Sequence, residues 1–280
     1  LLTISTEDEE GNEVPVVKPY FGVVDQKVVI RPECTTNTDV DWNSKHQQLS
    51  MQVDASALTL RDAVKEIKTL VMQNRRFDIA AFNPSPTAVN GNTIIWEHTK
   101  QLLFKAGNAY RKMEIVSTRN PGMHGDDIRW IDPYYHYTLL QDTPRKNYLY
   151  DEDQNGLYLT RCAEGGNADT EADYVIAHFS LSTLPDMDKN FYVNGRWSYD
   201  NFSSEYKMTY NHDSEAYEAD ILLKLGYYNY LYLYTTHTEP HIGHTQYTEG
   251  NFYRTENEYE ILVYHCPTGG RYWQLVGVVT

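Results

Sequence analysis

Basic residues are scarce in this chain: 24 Lys and Arg stand against 39 Asp and Glu, a formal charge of -15 at pH 7. A surface that acidic repels phosphate backbones and anionic headgroups, which argues against nucleic acid as a partner. Cysteine is scarcer still. Cys34, Cys162 and Cys266 are far apart, form no C-x-x-C pair and leave one over, so they set neither a disulfide framework nor a zinc site. No apolar run is long enough to cross a bilayer and no signal peptide is visible. The chain opens at Leu1, which reads as an internal fragment or processed product. Also missing are a G-x-S-x-G nucleophile, an H-E-x-x-H zinc motif, a Walker A loop and a G-x-G-x-x-G fingerprint. No catalytic, cofactor or metal residue is assigned.

What the chain has is tyrosine, 24 of them. In the stretch from Leu225 to Tyr234, Tyr228, Tyr230, Tyr232 and Tyr234 alternate with Asn229, Leu231 and Leu233. A period of two is a strand's period, with phenols on one face and leucines on the other. Other short, aromatic-rich segments are separated by Gly, Asp or Asn. They include Gln48 to Val53, Ile94 to Trp96, Gln101 to Phe104, Tyr110 to Ser117, Tyr134 to Leu140, Asn147 to Tyr150, Gly156 to Thr160, Tyr174 to Leu181, Tyr206 to Tyr210, Tyr217 to Leu223, Glu258 to His265 and Tyr272 to Val279. One helix is expected after Thr59 and Asp62, giving way to a strand where Ile67, Thr69 and Val71 resume alternation.

The expected fold is therefore all-β: tandem antiparallel β-sandwiches with one short helix. Residues 1–26 read as a terminal hairpin, the remnant of an N-terminal β-domain. Residues 27–185 read as a central sandwich, and Leu184-Pro185-Asp186 as the boundary. Residues 186–280 read as an immunoglobulin-like or early-set sandwich, about the size of one such domain.

Four clusters invite a chemical reading. Asp151 to Gly156 matches the first half of a calcium loop, but position twelve is Cys162 where a bidentate Glu is needed, so an acidic hairpin turn is the better reading. His237, His241 and His244 have spacing that would suit a divalent metal, yet Pro240 and Gly243 deny them a helix, and a solvated loop is expected. Arg75-Arg76 and Arg145-Lys146 are basic islands expected to meet neighbouring carboxylates. Asp126-Asp127 would point to opposite faces of a strand and is read as an exposed acidic loop.

Several runs in combination resemble the plug protein family of the type IX secretion system of Bacteroidetes. In the first part these are Gln73-Asn74-Arg75-Arg76-Phe77-Asp78, Gly107-Asn108-Ala109-Tyr110-Arg111, Asp151 to Gly156, and Asp173-Tyr174. Further on they are Gly226-Tyr227-Tyr228-Asn229-Tyr230, Glu256-Asn257-Glu258-Tyr259 and Arg271-Tyr272. Ala109, where a Glu is usual, and Ile79, where an Asn is usual, depart from the pattern. The resemblance implies a non-enzymatic, exported protein in the periplasm, associated with the outer membrane. Its implied partner is a very large outer-membrane β-barrel translocon, which it closes.

The run from Tyr192 to Tyr230 is also similar to the early-set sandwich of glycogen-binding modules. It supports an alternative: a carbohydrate-binding module that stacks a polysaccharide on Trp197, Tyr199, Tyr228, Tyr230 and Tyr232.

Overall fold

The computed structural model describes residues 3–17, 21–148 and 150–280. A separate hairpin of β1 (Ile4–Glu7) and β2 (Glu13–Val17) comes first. Of the expected 1–26 hairpin, residues 1, 2 and 18–20 lie outside the described residues, and residues 21–24 form no strand. Strands β3 (Val29–Thr35), β4 (His46–Asp54), β5 (Ile67–Gln73), β6 (Ala81–Phe82), β7 (Ala88–Asn90), β8 (Thr93–Trp96) and β9 (Leu103–Lys105) follow. Next are β10 (Arg111–Ile115), β11 (Gly125–Ile131), β12 (Tyr134–Leu139), β13 (Tyr158–Thr160) and β14 (Tyr174–Leu181). The chain continues through β15 (Lys189–Asn194), β16 (Thr209–Asn211), β17 (Ala216–Lys224) and β18 (Gly226–Thr236), and ends with β19 (Tyr259–His265) and β20 (Gln274–Val279).

The all-β expectation holds, and the strands build two sandwiches. In the first, the sheet β20-β19-β5-β6 faces β3-β4-β8-β7, with β9 also beside β4. Leu49, Met51, Val71, Trp96, Ile261 and Val276 fill its core. In the second, β10-β18-β13 with β15 faces β11-β12-β14-β17-β16. Tyr137, Phe179, Leu181, Ile221 and Tyr230 pack between those sheets. Strand β14 shows the local reason: Val175, Ala177, Phe179 and Leu181 are buried while the alternate residues are not, as a half-buried strand requires. One pair, β12 with β14, is parallel, so the sheets are not purely antiparallel.

The division into units differs from the one read along the sequence. Strands β14 and β17 lie on either side of Leu184-Pro185-Asp186, yet they pair from Tyr174↔Lys224 to Leu181↔Tyr217. At the C-terminus, β19 pairs with β5 along its whole length, so residues 259–279 complete the first sandwich and not a separate immunoglobulin-like unit. The second sandwich, residues 111–236, is thus inserted between β9 and β19 of the first. Local pattern marks strands and turns, but pairing is decided by long-range burial, and the Pro185 turn merely links two strands of one core.

Smaller differences have local causes. The helix α1 is a single turn, Ala63–Glu66, capped by the Asp62 side chain and not by Thr59. A second turn, α2 (Ala168–Glu171), follows Asn167, whose side chain caps it. Asp126 and Asp127 open strand β11 at a bulge opposite Leu139 and Thr138, where an acidic loop was expected. Asn147, Tyr148 and Tyr150 form no strand, and residue 149 lies outside the described residues.

Candidate functional site

Strand β18 is covered on both faces. Tyr228, Tyr230, Tyr232 and Tyr234 point into the second core, while Leu231 and Leu233 pack with Tyr110 and Phe202 on the other face. Tyr228, Tyr230 and Tyr232 are at most 2% exposed and Trp197 is 8% exposed. That overturns the sugar-stacking set, because a buried ring cannot meet a pyranose face. Tyr199 alone of the five is exposed, at 72%. The phenols were legible as one face, but a phenol has an apolar body and a polar tip and suits either a surface or a core with a partner for its hydroxyl.

The partner here is Asp142. Its Oδ2 accepts from Tyr230 at 2.7 Å and from Tyr232 at 3.0 Å, while Oδ1 accepts from Arg111. Arg111 also donates to Glu249 at 3.0 Å, and Glu249 accepts from Arg145 at 2.6 Å and from the Tyr232 amide at 2.8 Å. Burial alone would raise the Asp142 carboxyl, but His124 and Arg111 outweigh it and hold it below the usual range. Burial carries the Tyr230 and Tyr232 hydroxyls well above theirs. All these groups are engaged with one another. The result is a buried, satisfied polar network, which rigidifies a core.

Most of the remaining family-motif residues meet where the sandwiches join. Asn257 donates to Gln47 and to the Ala106 carbonyl, both at 2.8 Å, and accepts from Asn74 at 2.7 Å. Gln73 donates to the Tyr259 hydroxyl at 3.0 Å. Asn108 donates to the Glu249 carbonyl at 2.8 Å, and Gly107, at φ +62, donates to Asn251. Arg75 reaches Glu258 at 3.2 Å, the cross-strand carboxylate expected of it. Arg76 is buried, donates to Asp78 at 3.0 Å and bonds the Gly243 carbonyl at 2.8 Å. Burial works against the Arg76 charge, but Asp78 outweighs it and raises the guanidinium above its ordinary value.

Gly226 belongs to a different contact. A Cβ there would sit 2.5 Å from the Leu159 carbonyl, so β13 approaches β18 only because residue 226 is Gly. Tyr227 pairs with Glu114 and Leu159 in the same sheet. The Asp173 carbonyl accepts from the Leu225 amide, while Tyr174 is half-exposed. Glu256, Arg271 and Tyr272 are exposed and take no part in the junction.

The other clusters resolve structurally. Asp153 accepts from the Tyr110 amide at 2.6 Å and the Asn155 amide at 2.7 Å, closing a turn with Asn155 and Gly156 at positive φ. His237 and His241 are exposed, whereas His244 packs on Tyr234, and among the described residues no three metal-type side chains converge. Sequence reasoning missed a chain of bonds on the outer face of the second sandwich. His136 Nδ1 meets His178 Nε2 at 2.8 Å, and His178 Nδ1 meets Asp220 at 2.6 Å. With ring centroids 5.0 Å apart and planes within 22°, the two imidazoles meet edge to edge in line, the geometry of an N–H···N bond and not of two lone pairs converging on an ion. All three thiols are free.

At the junction lies a cavity of about 370 Å³. Its floor includes Arg76, Asp78, Asn74 and Tyr110, its apolar wall Ile79, Leu103, Phe104 and Ile242, and its rim Lys105, Glu239 and His244. His244 Nε2 is 3.0 Å from Glu239 but out of line for a hydrogen bond, so this buried nitrogen has no donor or acceptor partner. Burial, helped by Lys105, lowers the His244 pKa and favours the neutral ring. The size is that of a small-ligand or peptide subsite. Within it, the buried Asp78 and Arg76 are paired with each other.

Fold and site together define an all-β, two-sandwich protein with a rigid polar junction. No family model and no curated protein matches the chain. A crystal structure of a hypothetical protein from Parabacteroides merdae, a Bacteroidetes species, superimposes with a TM-score of 0.87 at 38% identity. The match covers 91% of this chain and 65% of that protein's length.

Proposed function

We propose that this chain is a non-enzymatic structural protein of the type IX secretion plug kind, which closes the periplasmic end of an outer-membrane β-barrel translocon. The observation that carries the reading is the junction: the motif residues Gln73, Asn74, Asn257 and Tyr259 form one hydrogen-bonded cluster through Gln47 at the end of the first sandwich, and beside it the Arg75 carbonyl accepts from Arg196 and the Phe77 amide donates to Asp200, both at 3.0 Å, across to the second sandwich. A plug that must occlude a wide pore needs two domains that do not flex, and a satisfied buried network provides that stiffness. The acidic surface keeps such a protein soluble when released. In the two buried networks Arg111 is paired with Asp142 and Glu249, Arg145 with Glu249, and Arg76 with Asp78, which supports a structural role over catalysis. The Bacteroidetes source of the similar protein agrees with the lineage that the resemblance implies.

The test is affinity purification of the parent protein from its native outer membrane, with mass spectrometry of what accompanies it and a soluble-fraction control. Recovery of a giant barrel, lost when the junction is opened by Asp200→Ala, supports the reading. Purification without any membrane partner overturns it.

A further inference from the structure

One strand position in the first sandwich is vacant, and the cavity lies in it. Strand β4 is lined on one edge by two strands in succession. Strand β8 pairs with Met51 to Asp54 and β9 with His46 to Gln48. On its far side β8 is covered by β7, but nothing among the described residues pairs with the far side of β9.

The ladder's alternation tells which groups of β9 are free. Ala106 donates its amide to Lys45 at 2.9 Å, and the register pairs Phe104 with Gln47, Lys105 with His46 and Leu103 with Gln48. Residues of an antiparallel strand turn their amides alternately towards and away from a given neighbour. Phe104 and Ala106 therefore face β4, while Leu103 and Lys105 face the opposite way, into the cavity. The Leu103 amide is used by the Lys100 carbonyl that ends the preceding turn. The Leu103 carbonyl and both the amide and the carbonyl of Lys105 have no partner among the described residues. They are three backbone groups in phase for an incoming strand.

From these observations the geometry points to a strand-addition site: an extended peptide segment of a partner protein, carrying an acidic side chain, pairs with β9 and fills the cavity in line with β7. Three residues of strand span about 10 Å, which suits a gap of this size. Side chains turned inward meet Phe104, Ile79 and Ile242, so small aliphatic residues fit there. The charge of the occupant follows from Lys105. Its ammonium has a single hydrogen-bonding neighbour, His244 Nδ1 at 3.5 Å, and no carboxylate partner among the described residues, although the chain as a whole is acidic. A carboxylate on the incoming segment completes that pair. This site stands independently of the proposed plug role, since any partner offering such a segment would use it.

The test pans the full chain against a displayed random heptapeptide library, then measures the selected peptides, synthesised with a fluorophore, by anisotropy. The expected winners carry an acidic residue and bind with Kd below about 100 µM. N-methylation at alternate peptide amides weakens them at least ~10-fold by removing ladder donors, while methylation at the intervening amides does not. Lys105→Pro, which deletes the free amide without touching the β4 ladder, has the same effect, and Lys105→Glu shifts the selection from acidic to basic peptides. Because the N-methyl series uses the unaltered protein, a folding defect in a variant does not obscure the result. Failure to select any binder overturns the proposal, as does binding indifferent to both N-methylation and Lys105→Pro.

Discussion

The hydroxyl of Tyr230 donates to Asp142 at 2.7 Å inside the second core, so the phenol ladder is anchored by a carboxylate 88 residues earlier in the chain. Arg111 faces the other oxygen of the same carboxylate. Asp142→Ala is expected to cost about 3–5 kcal/mol, because it leaves buried donors and a guanidinium short of a partner. Tyr230→Phe, which removes one donor and leaves the ion pair, is expected to cost about 2 kcal/mol. Urea denaturation of both variants checks the order; small and similar costs would mean that the ring's packing, which Tyr230→Phe retains, and not the carboxylate holds the ladder.

Glu66 ties α1 to the turn between β19 and β20. It accepts from the Thr268 hydroxyl, from the Thr268 amide at 2.8 Å and from the Arg61 amide at 2.9 Å, and these bonds lower its pKa to about 2 from an ordinary 4.5. A folded-state pKa below the unfolded one gives stability that is present above pH 4.5 and lost as pH falls towards 2. Denaturation midpoints for the wild type and Glu66→Gln are expected to differ at pH 6 and to converge near pH 2.

Tyr199 is exposed and sits at φ +52, a left-handed conformation costly for a bulky side chain. Tyr199→Gly is expected to stabilise the protein by about 1 kcal/mol, since it relieves the backbone and gives up little packing. A lowered melting temperature would instead mean that the phenol makes a contact that matters to the fold.

The strand pairing also predicts which fragments fold. Residues 186–280 alone contain β19 without its partner β5, and β17 without β14, so they are expected to be unfolded by circular dichroism. Residues 106–238 hold every strand of the second sandwich and are expected to give a cooperative melt. A folded 186–280 fragment would refute the nested connectivity.

Much of the local structure was legible. The alternation of β14 and β18 and the switch to a strand at Ile67 were written in neighbouring residues, while the helix cap was expected at Thr59 and lies at Asp62. What stayed hidden was non-local. Alternation says that Tyr230 and Leu231 point opposite ways, but not that both sides are covered, because the covering residues, Asp142 and Tyr110, are far off in the chain. The Asp126-Asp127 pair concealed a strand because two carboxylates at a bulge carry no apolar period. The cavity was unreadable for the same reason: its wall at Phe104 and its rim at Glu239 come together only through the fold.

The insertion of one sandwich inside the other sets an order of events for a chain emerging from a ribosome or threading a translocase. The inner unit has all its strands once residue 236 is out and can fold at once. The outer unit must wait for β19 and β20, holding Val53, Val71 and Trp96 incompletely covered until those two strands arrive. A stop codon or a protease cut before β19 therefore strips Ile261, Val263 and Val276 from a core whose other buried members lie between Val28 and Phe104. Loss of these late strands is felt in partners far earlier in the sequence.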